Sequence, residues 1–198
     1  MSAVGVLALQ GGVAEHISIL EQLGCDVKEI RTPDELESIS ALILPGGEST
    51  TLISLLNRWE LTSPLRSMGE DGFPIFGTCA GAVLLSKEID EKEHEVSQNS
   101  LGLADVKAVR NYFGRQTCSF LKSIKVTGLA EPFPGVFIRA PLLLPLSDTV
   151  EVLSSVEDGP VFLRQDNLWL SSFHPELTTD CRIHRLFLES QGILKGSG

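Results

Sequence analysis

The chain has 198 residues, of which 42% are hydrophobic and 21% are charged, and its formal net charge is -10 at pH 7. A chain of this length can bury the core of one domain without disulfides or metal ions, so we predict a single domain over 1–198 with a disordered tail at about 192–198. The negative charge repels phosphate groups and argues against nucleic acid as a partner.

The four cysteines are widely spaced, without a C-x-x-C pair or a nearby histidine to complete a zinc site. They favour reduced thiols in a cytoplasmic protein, and we expect no metal and no other cofactor. The apolar run over 4–9 lacks a basic flank and is shorter than a membrane span. It is interpreted as a first buried strand, and no membrane partner is expected.

The first half of the chain alternates apolar segments of strand length with amphipathic helices. This alternation predicts an α/β fold, a three-layer sandwich whose mixed, largely parallel central sheet has helices on both faces. Ligands of such sheets bind at the carboxyl ends of the strands. The predicted strands cover 4–9, 26–30 and 41–44, and the predicted helices lie over 13–23, after Thr32-Pro33 and over 52–59.

A glycine-rich turn, 45–50, joins the third strand to the helix that follows. A backbone N–H of Gly46-Gly47 could bind an oxyanion there, and the carboxylate of Glu48 could bind a substrate ammonium group. The turn is equally consistent with a simple loop in which Ser49 or Thr50 caps the helix. It lacks the G-x-x-x-x-G-K-[ST] pattern of a phosphate loop.

The apolar run over 73–85 is interrupted by Gly77-Thr78-Cys79-Ala80-Gly81 and predicts a strand, a sharp turn and a helix. G-x-C-x-G is the thiol counterpart of the nucleophile elbow, in which a strained turn exposes one side chain at the sheet edge. Gly77 and Gly81 would leave room for the turn, and a helix starting near Ala80 would direct its N–H groups at the sulfur and favour a thiolate. Alternatively, Cys79 is one more small buried residue.

The second half of the chain is rich in short strands, which predicts antiparallel additions to the parallel core. The charged run over 87–95 is interpreted as a solvated loop or helix face. A last helix is expected from Thr179-Asp180 to about 188, with Ile183, Leu186 and Phe187 facing inward. The predicted strands cover 101–109, 120–126, 135–139, 150–156, 160–164 and 168–173, with hairpin turns at 158–159 and 166–167.

His174-Pro175-Glu176 follows the last predicted strand. A thiolate nucleophile needs a base, and the base needs a carboxylate that orients it, so His174 and Glu176 could complete a triad with Cys79. Taken alone, the tripeptide would be only a strand terminator followed by a surface acid. The remaining histidines, His16, His94 and His184, are interpreted as structural or solvated.

Together these motifs resemble the class I, triad-type glutamine amidotransferases. Within that superfamily the chain is similar to the family of glutaminase subunits of pyridoxal phosphate synthase. The elbow and His-Pro-Glu identify only the superfamily, whereas the stretches over 110–116 and 137–141 narrow the resemblance to this family. The matching segments are Leu9-Gln10-Gly11 with Glu15-His16, Pro45-Gly46-Gly47-Glu48-Ser49-Thr50, Gly77-Thr78-Cys79-Ala80-Gly81, Arg110-Asn111 with Phe113-Gly114-Arg115-Gln116, Phe137-Ile138-Arg139-Ala140-Pro141, and Phe173-His174-Pro175-Glu176-Leu177.

The resemblance implies a flavodoxin-like fold and hydrolysis of L-glutamine to L-glutamate and ammonia. It implies that Cys79 attacks the amide, that His174 acts as base and then acid, and that Glu176 orients His174. The backbone of Gly47 and Ala80 would form the oxyanion hole. The implied glutamine contacts are Gly47, Glu48, Ser49, Arg110, Ile138 and Arg139.

The resemblance also implies that ammonia passes to a pyridoxal phosphate synthase subunit of the PdxS/SNZ type in a large hetero-oligomer. The glutaminases of this family are weakly active until that partner docks, and residues 10–16 are a candidate docking region. Three alternatives stay open. They are the glutaminase subunit of another amidotransferase, a catalytically silent binding module of the same fold, and a stress-response protein or peptidase of the related cysteine-elbow group.

Overall fold

The computed structural model describes residues 3–90, 100–114 and 119–195. Twelve strands are present in these ranges, joined in the first half mainly by helices and in the second half mainly by turns. The strands are β1 (Ala3–Leu7), β2 (Val27–Ile30), β3 (Ile39–Leu44), β4 (Ile75–Thr78), β5 (Ser86–Asp90), β6 (Ala104–Val109), β7 (Phe120–Ile124), β8 (Phe133–Phe137), β9 (Leu142–Pro145), β10 (Glu151–Val156), β11 (Gly159–Gln165) and β12 (Leu168–Ser171).

The helices follow the strands closely, so most connections in the first half are short. Three further segments of the described chain, Pro33–Ser38, Tyr112–Gly114 and Pro175–Leu177, form 3-10 turns. The α-helices are α1 (Val13–Gln22), α2 (Ser49–Arg58), α3 (Thr62–Glu70), α4 (Ala80–Leu85) and α5 (Arg182–Ser190).

A seven-stranded sheet in the order β10-β11-β12-β4-β3-β1-β2 forms the centre of the fold. Strands β2, β1, β3, β4 and β12 are parallel to one another, and β11 and β10 extend the sheet by antiparallel pairing. The prediction of a largely parallel sheet with antiparallel additions is therefore confirmed. Because β1, β3, β4 and β12 are parallel, the loops that follow them meet at one edge of the sheet.

Successive side chains of β1 and β3 enter two different hydrophobic clusters, as the alternation of a strand buried on both faces requires. Leu42 and Leu44 pack in the cluster that includes residues of α2, α3 and α4. Ala41 and Ile43 pack in the cluster that includes residues of α1 and α5. The result is the predicted three-layer arrangement.

Three α-helices or strands of the described chain, α3, β5 and β9, were not predicted. Helix α3 contains Pro64 and Gly69, which usually interrupt helices. Pro64 lies in the first turn, where its missing N–H costs little. At Gly69 a Cβ would lie 2.4 Å from Leu103 Cδ1, so glycine permits this close packing. Helix α3 is therefore stabilised by tertiary contacts, such as those of the buried Leu65.

The interpretation of 87–95 as a solvated loop or helix face is wrong for its first residues. Residues up to Asp90 belong to β5, which pairs in parallel with β6, and Lys87 Nζ lies 2.8 Å from Asp105 Oδ1. Charged side chains are compatible with this strand because its Lys87 and Glu88 are exposed. The remainder of the run, 91–95, lies outside the described residues.

The other boundaries differ by only a few residues. The turn predicted at 158–159 lies one residue earlier, because Val156 pairs with Gly159. In α5, Ile183 and Phe187 are buried as expected and Leu186 is half-buried. Of the disordered tail predicted over 192–198, residues 192–195 belong to the described chain, and Ile193 N donates to Leu188 O at 2.9 Å; 196–198 lie outside the described residues.

No helix in the described part of the chain is long and apolar enough to cross a membrane.

Candidate active site

Cys79 sits at the elbow between β4 and α4, with φ 48° and ψ -102°. A positive φ is unusual for a residue other than glycine and is typical of a strained turn at a functional site. A Cβ on Gly77 would lie 2.5 Å from the carbonyl carbon of Gly81, and one on Gly81 would lie 2.0 Å from Leu44 O. Both glycines therefore leave room for the turn, as predicted.

His174 and Glu176 follow β12 and face the elbow. His174 N donates to Val136 O at 2.8 Å, which fixes the backbone before the Pro175–Leu177 turn. His174 Nδ1 lies 2.6 Å from Glu176 Oε1, and the side chain of Glu176 is only 1% exposed. The carboxylate is thus held against the Nδ1 edge of the imidazole.

Cys79 lies close enough to the imidazole to interact with it electrostatically, and its Sγ lies 3.9 Å from Ile138 O. Burial alone would lower the pKa of His174, but the hydrogen bonds and negative charges of Cys79 and Glu176 outweigh it and raise this pKa to about 10. The raised pKa favours an imidazolium that can hold the thiol proton.

This pKa has a consequence for stability. The folded-state pKa of His174 lies above the value of about 6.5 of an unfolded chain. Protonated His174 therefore stabilises the folded state fully below pH 6.5, and this stabilisation is lost as pH rises through about 10. We expect the melting temperature to fall more steeply between pH 7 and pH 10 in the wild type than in His174→Gln. Thermal unfolding of both proteins across this range tests it, and parallel curves would contradict it.

The glycine turn after β3 is held by three hydrogen bonds from neighbouring loops. Gly46 N donates to Thr78 Oγ1 at 3.0 Å and Glu48 N donates to Gln10 Oε1 at 3.0 Å. Gly12 N donates to Gly46 O at 3.1 Å. The sequence pattern did not reveal that Gln10 and Thr78 position this turn, although both residues lie at or just after the end of a buried strand at the same sheet edge.

Glu48 caps α2, a role that the alternative interpretation of this turn gave to Ser49 or Thr50. Its carboxylate accepts from Thr50 N at 3.2 Å and from Thr51 N at 2.7 Å, and Arg110 Nη2 donates to Glu48 Oε1 at 3.1 Å. Partial burial opposes these bonds, which nevertheless lower the pKa of Glu48. The carboxylate therefore stays charged at the rim of the site.

These groups surround one cavity of about 390 Å³. All ten residues that the sequence analysis assigned to the site line it. Arg139 does so with φ 44°, a second strained position beside the elbow. The ten are Gly47, Glu48, Ser49, Cys79, Ala80, Arg110, Ile138, Arg139, His174 and Glu176.

Several lining residues were not assigned to the site from the sequence. Glu15 and Asn111 add polar groups, and Val83 and Pro141 add apolar surface. Leu177 is 43% exposed, and it follows the triad acid directly.

Within the described ranges, no cluster of three or more His, Cys, Asp and Glu side chains could hold a metal ion.

Two histidines that were expected to be structural or solvated are fully buried beside the triad. His16 Nε2 lies 3.2 Å from Thr78 Oγ1 and 3.5 Å from Glu176 Oε2. His16 Nδ1 lies 2.9 Å from His184 Nε2. Their distance in sequence, 168 residues, explains why the pattern around each histidine gave no sign of the contact.

The chain is similar to known proteins over nearly its whole length. A model of the SNO glutamine amidotransferase family matches residues 6–192. The chain is 48% identical over 185 residues to the pyridoxal 5'-phosphate synthase subunit PdxT of Thermosipho africanus, covering 93% of this chain and 96% of that protein. It is 49% identical over 187 residues to the PdxT of Herpetosiphon aurantiacus, covering 93% and 98%.

Solved structures are also similar to this chain. A crystal structure described as a glutamine amidotransferase superposes with a TM-score of 0.89 at 48% identity, covering 96% of this chain and 99% of that one. The structure of PurLQS from Thermotoga maritima superposes with a TM-score of 0.66 at 17% identity, covering 96% of this chain and 99% of the matched chain. The second likeness shows the shared fold.

Proposed function

Since the chain belongs to the SNO glutamine amidotransferase family, we propose that Cys79, His174 and Glu176 are the triad that hydrolyses the side-chain amide of L-glutamine. The chain is a glutaminase subunit of a pyridoxal 5'-phosphate synthase. The observation that carries the assignment of the triad is the contact of His174 Nδ1 with Glu176 Oε1, at the wall of the cavity that Cys79 also lines.

In the first step the sulfur of Cys79 attacks the amide carbon of glutamine, and its proton is held by His174. The negative charge on the amide oxygen is stabilised by the backbone N–H groups of Gly47 and Ala80. The C–N bond then breaks, the imidazolium gives its proton to the leaving nitrogen, and ammonia departs. A glutamyl thioester on Cys79 remains.

In the second step water replaces ammonia. Neutral His174 takes a proton from the water molecule, whose oxygen attacks the thioester carbon, and the same N–H groups stabilise the second tetrahedral intermediate. The C–S bond breaks, the sulfur recovers its negative charge beside the imidazolium, and glutamate is released. Glu176 keeps the ring oriented throughout.

The α-amino and α-carboxylate groups of glutamine need opposite charges, and the cavity offers both. Glu48 supplies a carboxylate for the ammonium group, while Arg110 and Arg139 supply guanidinium groups for the carboxylate. The remaining contacts with glutamine come from backbone and side-chain atoms of Gly47, Ser49 and Ile138.

Ammonia then passes to the synthase subunit, of the PdxS/SNZ type, in a large cytoplasmic hetero-oligomer that builds pyridoxal phosphate. The relatives named as subunits of pyridoxal 5'-phosphate synthase support this partner. The loop with Gln10 lies against the glycine turn over 45–50, which we name the oxyanion turn. This contact supports 10–16 as the region through which docking of the synthase subunit affects the site.

The experiment compares glutamate release from glutamine by this protein alone and by its mixture with the synthase subunit. We expect low activity alone and a strong rise with the partner, together with glutamine-dependent formation of pyridoxal phosphate. Glutamate release without pyridoxal phosphate formation would indicate a different amidotransferase. An ammonium salt in place of glutamine is the control for the synthase.

Replacing Glu48 should separate its two roles. Glu48→Ala removes the helix cap, at about 1 kcal/mol, and also the group that binds the ammonium of glutamine. Glu48→Ser keeps a capping side chain without the carboxylate. We expect KM for glutamine to rise about 10- to 100-fold in both variants, with a loss of thermal stability only in Glu48→Ala. An unchanged KM in Glu48→Ser would exclude Glu48 from glutamine binding.

A further inference from the structure

Glu176 has a second oxygen that the triad does not use. Oε1 contacts His174, whereas Oε2 is buried and forms no hydrogen bond to any residue that the structure describes. The nitrogen that faces Oε2 is His16 Nε2, at 3.5 Å. Burying a carboxylate oxygen costs free energy unless a hydrogen-bond donor faces it. Whether His16 Nε2 carries a proton therefore affects the stability of the triad acid.

Both buried histidines are neutral. Burial lowers the pKa of His184 to about 3. Burial, together with the neighbouring His184 and His174, lowers the pKa of His16 well below its ordinary value. Each ring therefore carries one N–H, and the contact of 2.9 Å between His16 Nδ1 and His184 Nε2 requires that one ring donates and the other accepts.

Two arrangements satisfy this contact. In the first, His184 Nε2–H donates to His16 Nδ1, and His16 Nε2–H points toward Glu176 and Thr78. In the second, His16 Nδ1–H donates to His184 Nε2, and the lone pair of His16 Nε2 faces Glu176 Oε2. The second arrangement also places a proton on His184 Nδ1, which is buried and unpartnered among the described residues.

In the second arrangement the Thr78 hydroxyl can donate to the lone pair of His16 Nε2, but the N–H on His184 Nδ1 is buried without an acceptor among the described residues, whereas the first arrangement leaves only a bare ring nitrogen there. The first is therefore favoured. Other charged groups near Glu176 are His174 on its far oxygen and the exposed Glu15, whose Oε2 would lie 3.6 Å from a Cβ at Gly12. Glu15 carries negative charge and cannot compensate Oε2, so that role falls to His16.

Building on the proposed glutaminase function, we propose that His16 is a positioning residue that directs its Nε2–H at Oε2 of the triad acid Glu176, 3.5 Å away, and that His184 fixes the tautomer in which it can do so. His16 acts through Glu176 and does not line the cavity described above. The same nitrogen lies 3.2 Å from Thr78 Oγ1, which accepts from Gly46 N. His16 thus links the triad acid to the oxyanion turn.

The tautomers can be observed directly, without any assay of activity. Two-dimensional ¹H–¹⁵N NMR of protein labelled at histidine distinguishes protonation at Nδ1 from protonation at Nε2. We expect both His16 and His184 to carry the proton on Nε2, with assignments from His16→Gln and His184→Phe. Protonation of both rings on Nδ1 would overturn the proposal. In His184→Phe, we expect His16 to populate the Nδ1–H tautomer as well.

Kinetics of the complex with the synthase subunit test the consequence. Leucine at position 16 fills space without a donor, whereas the side-chain amide of glutamine places an N–H close to the position of Nε2. We expect kcat for glutamate release to fall about 10- to 100-fold in His16→Leu, the range for loss of a hydrogen bond to a buried charge. KM should change little, and His16→Gln should recover most of kcat.

The outcomes separate this proposal from the glutaminase assignment. If the wild-type complex releases no glutamate, the glutaminase assignment fails. The NMR measurement of the tautomers still tests whether His16 directs its Nε2–H at Glu176. If the wild type is active and His16→Leu keeps full kcat, the positioning role is wrong and the assignment stands. Equal losses in His16→Leu and His16→Gln, with equal losses of thermal stability, would show a packing role only.

Discussion

Cys79→Ala is expected to lower glutamate release from glutamine by at least about 10⁴-fold. Cys79 supplies the atom that forms the thioester, and the other groups at the cavity cannot replace it, because His174 and Glu176 act on its proton. The residual rate would reflect only the oxyanion turn and the binding of glutamine. Glutamate release in the presence of the synthase subunit measures the effect.

The variant should keep its fold. Alanine accepts the backbone of the elbow about as well as cysteine, since both have one Cβ, and the side chain that is lost is small and 7% exposed. The melting temperature should change little relative to the loss of activity. Cys25→Ala is the matched control: Cys25 is half-buried and packs beside α1, away from the residues that line the cavity, so it should retain wild-type activity. Substantial glutamate release by Cys79→Ala would exclude Cys79 as the nucleophile.

The parts of the fold that could be predicted are those where local sequence and tertiary structure agree. Strand β3 has an unbroken apolar run over 41–44 and is buried on both faces, and the elbow carries glycines where α4 closely approaches the backbones of β3 and β4. The triad could be predicted for the same reason, because a parallel sheet brings the ends of β4 and β12 to one edge.

Other features depend on contacts that local sequence does not specify. Strand β5 is charged and forms because β6 is available to pair with it. The hydrogen bond of Gln10 to Glu48 N joins loops 38 residues apart, and that of His16 to His184 joins helices 168 residues apart. Each histidine lies on the buried face of an amphipathic helix, but only the packing of α1 and α5 against the sheet brings the two side chains together.

Gly81→Ala is expected to destabilise the protein by more than about 3 kcal/mol, against the direction that helix propensity predicts. Gly81 lies in α4, where alanine is ordinarily better than glycine by up to about 1 kcal/mol. A Cβ at this position would, however, lie 2.0 Å from Leu44 O and 2.8 Å from its carbonyl carbon. These are backbone atoms of β3, so the helix and the strand must separate.

The separation should damage the site as well as the fold, because β3 leads into the oxyanion turn and α4 begins directly after Cys79. Gly72→Ala is the control: φ is 86° there, and no atom of the described chain lies within 4 Å of the new Cβ. Its cost should be about 1–2 kcal/mol, the strain of a left-handed backbone alone, with glutamate release unchanged. Denaturant unfolding of both variants measures the difference. A loss in Gly81→Ala no larger than that in Gly72→Ala would show that α4 can move away from β3, and the rigidity of the elbow would then need another source.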